Sequence, residues 1–205
     1  MESRDPVYYL QQEIARLRDE NRDLKDEVAL LRSSVRALSA LQDVIQRLTP
    51  SANVIALLDD LLASALAVVG AEDGSLLLID EETDELVFAV VQGAMRLQLT
   101  GYRIPRHQGI AGWVAENRKP VVVRDVRTDS RFSPAVDERF EFHTRSMACV
   151  ALVDGERVLG VIEALNKASD PDFTDTDRDL LSVVAQLATV AIQRAESCTE
   201  ATSAV

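Results

Sequence analysis

From Val7 to Leu38 a hydrophobic seam recurs at alternating steps of three and four, which restricts the stretch to an amphipathic helix with one narrow apolar stripe. One register holds Val7, Ile14, Asn21, Val28 and Val35, and the other holds Leu10, Leu17, Leu24, Leu31 and Leu38. β-Branched residues in the first with Leu in the second favour a parallel two-stranded coiled coil. A buried Asn at one such position sacrifices stability to fix register and strand number, and Asn21 stands there. The flanking charges agree. Glu13, Glu20 and Glu27 precede Arg18, Lys25 and Arg32 by five residues each, so the two sets face one another across a parallel pair. Residues 1–48 are therefore expected to form a coiled-coil dimerisation helix and the chain to be a homodimer.

A zipper raises the question of DNA, which needs a basic helix directly ahead of it. Six residues precede Val7, two of them acidic, and the whole chain carries a net charge of −12. That balance excludes a phosphate-backbone partner and disfavours an anionic membrane surface. No apolar run approaches the ~18–20 residues that span a bilayer, and Met1 to Pro6 lack the apolar centre of a signal peptide. Cys149 and Cys198 form no disulfide or zinc spacing. A cytoplasmic protein is expected. Lys occurs only at 25, 119 and 167, the other basic residues being Arg, a bias that points to a GC-rich bacterial genome.

Beyond Leu38 the apolar face continues in altered phase through Leu41, Ile45 and Leu48 until Thr49-Pro50 stops the helix. Ser51 is expected to cap a second helix ending at Gly70. Two β-rich runs, Gly74–Asp80 and Glu85–Val91, flank a polar turn and read as a hairpin. A short strand near Tyr102–Ile104, a helix over Ile110–Asn117 and a strand at Pro120–Val123 follow. Residues 124–146 read as irregular and mobile. Met147–Val153 and Arg157–Leu165 form a last hairpin, a helix spans Asp175 to about Ala195, and residues 197–205 read as a disordered tail. Strands between flanking helices give an α+β fold around an antiparallel sheet.

Within this frame Gly109-Ile110-Ala111-Gly112-Trp113-Val114-Ala115-Glu116-Asn117, then Lys119-Pro120-Val121-Val122-Val123 and Asp125, resemble the central motif of GAF domains. Asp129-Ser130-Arg131-Phe132, the run Leu159 to Lys167, and Phe173 with Asp177 fit the same family, across residues 50–196. The resemblance implies a six-stranded antiparallel sheet with a ligand pocket on one face. It further implies first and last helices that commonly form a dimer bundle on the other. For the last helix the stripe Leu180, Leu181, Val184, Leu187, Ala188, Ala191 and Ile192 is expected to supply that bundle.

The same resemblance implies site residues. Asn166-Lys167, Phe173 and Asp177 are similar to a motif of cyclic-nucleotide-binding members in which Lys and Asp brace the pocket through a salt bridge. Arg178 stands where those members carry Glu, so a cyclic nucleotide is one ligand among several the family admits, and the cofactor stays unknown. Tyr102, Ile110, Phe132, Val136, Phe140 and Phe142 are the expected apolar and stacking lining. Arg103, Arg106, Thr144 and Arg145 are the expected polar contacts. Gly109 and Gly112 are half of a phosphate loop without its lysine, and Gly109 reads better as a helix boundary. The alternating Asp170 to Asp179 lack the EF-hand Gly and Glu and read as a capping loop, leaving no metal site. Enzymatic relatives that reduce methionine sulfoxide use several pocket cysteines, whereas Cys149 falls in an apolar strand and Cys198 in the tail. No catalytic residues are assigned. The expected function is a non-catalytic sensor or adaptor acting through an unidentified protein partner, with a ligandless GAF scaffold as the alternative.

Overall fold

The computed structural model describes Tyr8, residues 10–22, Leu24, Val28, residues 53–168 and residues 172–203, with the backbone alone for 198–203. The chain divides into two compact units, 1–38 and 39–205. In the first, residues 10–22 form helix α1. Intrahelical pairs support it, Arg16 bridging Glu13 at 2.7 Å and Glu20 at 3.2 Å. Leu10, Ile14, Leu17, Leu24 and Val28 are all exposed, from 42 to 58%, so nothing among the described residues covers these five seam positions. Leu31, Val35 and Leu38 lie outside the described residues.

The second unit opens with α2 (Val54–Val69). Its cap is Asn53, whose side chain accepts the Ile55 and Ala56 amides, in place of the expected Ser51. An Asx side chain at that position reaches the two first-turn donors that would otherwise lack partners. Gly70 closes the helix at φ 72°, a left-handed turn that glycine adopts without strain. Strands β1 (Ala71–Asp80), β2 (Glu85–Gln92), β3 (Arg103–Pro105), β4 (Val121–Val123), β5 (Met147–Asp154) and β6 (Arg157–Lys167) follow. They form one six-stranded antiparallel sheet in the order β3-β2-β1-β6-β5-β4, with β1 and β6 at its centre.

Helices α3 (Arg96–Leu99), α4 (Gly109–Asn117) and α5 (Ala135–Phe140) and a 3₁₀ turn at Val126–Thr128 connect the strands. The 124–146 stretch thus carries two short helices where irregular chain was expected. Elements of three and six residues are too short for a period of 3.6 to register in sequence. The last helix, α6 (Asp175–Ser203), runs well past Ala195 into the expected disordered tail. Nothing in the span breaks it, for it holds no Gly or Pro.

Strand alternation sends side chains to two faces. Leu76, Val90, Ala148, Val150, Ile162 and Ala164 meet α2 and α6, whose buried stripes include Leu58, Leu62, Leu181, Leu187, Ala188 and Ala191. Leu187, expected at a dimer bundle, is 3% exposed inside its own chain's core, because the sheet needs the wider part of the α6 stripe. The apolar residues that α6 turns outward are Val183 and Val190. On the other face Leu77, Phe88, Met147, Cys149 and Val161 meet α4 and the connecting loops.

Candidate ligand cavity

The second face does not close. Between the sheet and the α4–α5 loops lies a cavity of about 80 Å³, predominantly apolar. Ser75, Phe88, Val91, Met147, Glu163 and Leu165 supply its floor. Gln92, Met95 and Leu99 border it beside α3, and Gln108, Gly109, Ile110 and Ala111 border it from the start of α4. Phe132, Ser133, Val136, Asp137, Phe142 and Thr144 complete the wall. Two glycines let α4 sit there. Gly109 takes φ 72° directly after the helix cap, and a Cβ on Gly112 would lie 2.3 Å from the His107 carbonyl carbon. Those requirements of turn and close approach explain both glycines without a phosphate.

Of the residues expected from sequence, Ile110, Phe132, Val136, Phe142 and Thr144 border the cavity. Tyr102 and Phe140 stack edge to face at 5.0 Å and do not border it. Arg103 is a correction to the expected polar set. It pairs with Asp80 at 2.7 Å and Glu85 at 3.0 Å on the surface, because β3 is an edge strand and the turn before β2 is acidic. Arg106 pairs with Asp84 in the same way. Arg145 is exposed, its backbone amide donating to Asn166 Oδ1 at 2.8 Å and its carbonyl accepting the Val126 amide.

The expected bracing set is assembled at the end of β6. Asn166, at φ 53°, also donates to the His143 carbonyl, so its side chain ties β6 to the chain entering β5. Lys167 Nζ lies 2.6 Å from Asp177 Oδ2, with both side chains nearly buried. Asp177 additionally accepts the Thr174 amide and hydroxyl, and Phe173 is fully buried 5.9 Å from the ammonium. The set joins the central strand to the start of α6 and leaves the cavity untouched.

Sequence reading missed the buried acids. Glu163 is 6% exposed and accepts one hydrogen bond, from Ser75 Oγ at 2.8 Å. Burial without a counter-charge pushes its carboxyl up to about 7, the Ser75 bond opposing this only in part. A legible signal existed, since Glu163 is the one charge in Val158–Leu165 and shares the parity of Val161. Asp137 is buried as well, but Arg127 at 2.7 Å and both donors of Thr144 satisfy it, which clamps α5 over the cavity. Burial, followed by the adjacent Glu163, pushes the Cys149 thiol well up, so it is a poor nucleophile.

Sheet order and flanking helices together define an α+β fold of the kind sensor and regulatory domains use. The family model for the GAF domain matches residues 53–192, and the chain belongs to the GAF family. It is 37% identical over 89 residues to the mouse (Mus musculus) cone cGMP-specific 3',5'-cyclic phosphodiesterase subunit alpha', covering 43% of this chain and 10% of that protein. The chain thus spans about a tenth of that relative's length. A GAF domain from a Coxiella burnetii phosphoenolpyruvate-protein phosphotransferase superposes with TM-score 0.65 at 18% identity, covering 78% of this chain and 96% of that one. The free methionine-R-sulfoxide reductase of Neisseria meningitidis, solved with its substrate, superposes with TM-score 0.64 at 24% identity, covering 78% and 88%. GAF domains are sensor and regulatory modules, as in the phosphodiesterase. Among the described residues no helix is long and apolar enough to cross a membrane.

Proposed function

We propose that this chain is a non-catalytic bacterial sensor that works in the cytoplasm as a parallel homodimer and signals through a protein partner. The observation that carries this reading is the cavity on one face of the sheet, apolar with a few buried polar groups, as ligand sites generally are. The exposed seam of Leu10, Ile14, Leu17, Leu24 and Val28 supports the dimer, as do Ile55 on α2 and Val183 and Val190 on α6, which face outward on one side of the sheet. A bundle of those outer faces would read cavity occupancy through the strands they share.

A thermal-shift screen against cyclic nucleotides and small metabolites tests the sensor. A ligand at 100 times its dissociation constant stabilises the fold by about 2.7 kcal/mol, and silence across the screen favours a ligandless scaffold. Leu17→Cys tests the assembly. It should cross-link to its own counterpart, and cross-linking of Leu10→Cys only to a distant position such as Leu38→Cys would overturn the parallel arrangement.

A further inference from the structure

The charge around the cavity is one-sided. Asp73, Asp137 and Glu163 border it, and among the described residues no Lys, Arg or His does. Asp137 is held by Arg127 and Thr144, and Asp73, which accepts the Ala94 amide, is only half-buried and stays within reach of solvent. Glu163 differs. It has no cationic partner among the described residues, and Ser75 occupies only one of its oxygens. Arg131, on the loop beside it, is committed to Asp129 at 2.6 Å and to the Trp113 ring at 4.4 Å. Cys149 of β5 is opposite Glu163 in register and is a buried neutral thiol. The bordering residues of α3 and α4 carry no charge.

A buried carboxylate left without a cation strongly favours any ligand that brings one. An anion entering the same space would place like charges together in a medium of low dielectric. Resting on the sensor reading, we propose that the cavity takes a small apolar amine or amidine, its cationic nitrogen docked on Glu163 and its hydrocarbon body against Phe88, Val91 and Ile110. Size sets a second limit. A cavity of 80 Å³ holds roughly five to eight water-sized groups, so it suits a molecule of about that many heavy atoms and is small for a nucleotide.

The probes are isoamylamine, its carboxylate counterpart isovalerate, and cGMP, titrated calorimetrically up to 50 mM into the full chain at pH 8.5 and pH 5.5. Isoamylamine stays cationic at both values, whereas Glu163 passes from ionised to protonated. Binding at pH 8.5 should be at least tenfold tighter for isoamylamine than for isovalerate. It should weaken about thirtyfold at pH 5.5, the ratio of ionised fractions for a group titrating near 7. Glu163→Gln should abolish the preference and flatten the pH dependence. The wild-type pH series stands on its own if that variant folds poorly. Equal or tighter binding of isovalerate or cGMP would overturn the amine assignment while keeping the sensor. Undetectable isoamylamine, or affinity unchanged in Glu163→Gln, would overturn it too, and silence throughout the metabolite screen would remove the sensor with it.

Discussion

The two faces of the sheet are made by the same six strands and come out differently. Toward α2 and α6 the buried positions are nearly all apolar, Thr189 excepted, and long regular helices cover them. Toward α4 and α5 the cover is made of short helices and loops, the floor includes Ser75 and Glu163, and a cavity remains. Regular elements can align a continuous stripe over a twisted sheet, whereas pieces of three to nine residues cannot. The filled face supplies stability. The other trades some of it for a space that can be occupied.

Substitutions that exchange the properties of the faces test this contrast. The largest loss is expected from Leu62→Ala, which empties a fully buried site on the filled face and should cost about 3–5 kcal/mol in chemical denaturation. Next comes the acid of the hollow face. Glu163 has its folded value raised to about 7 from an ordinary 4.5, so the folded state holds the proton more tightly. Its stabilising contribution is full below pH 4.5 and declines by about 3 kcal/mol as pH rises through 7. Glu163→Gln should remove that component from the stability–pH curve. An unchanged curve would mean Glu163 is better compensated than its surroundings indicate. The smallest effects come from a matched pair of enlargements. Ala188→Val overpacks the filled face and should cost about 1–3 kcal/mol, while Ala111→Val, beside the cavity, should stay within about 0.5 kcal/mol of the parent. Equal losses at both would show that the two faces are equally tight.

Legibility followed the same divide. The filled face was read well because Leu57, Leu58, Leu61, Leu62, Ala65 and Leu66 repeat with the helical period, and the apolar runs of β5 and β6 around Asp154-Gly155-Glu156 marked a hairpin. The resemblance of Gly109–Asn117 and Leu159–Lys167 to the GAF family then supplied strand number and the place of the cavity. Its chemistry was harder. Aromatic and basic residues of 102–145 were expected to converge, yet Arg103 and Arg106 found acids in the turn before β2, which are remote in sequence and absent from any local pattern. Asp137 carried no local signal, since the Arg127 and Thr144 that close around it come from separate turns of a stretch without a readable period. The end of α6 went unread for a simpler reason, since its small polar residues were taken for disorder where no Gly or Pro breaks the helix.

Ser75 and Glu163, whose hydrogen bond sits on the cavity floor, are 88 positions apart in the chain. Their strands pair directly at the centre of the sheet, so this contact closes β2 to β5 and their connections into one loop. Such long-range pairing is slow to form, because loop entropy is lost before any contact repays it. During synthesis β1 emerges early and waits for β6, and until then there is no floor, no paired carboxyl and nothing for a ligand to hold. On the proposed reading, a bound amine would report that the domain has been completed, and chains interrupted before residue 163 would be blind to it.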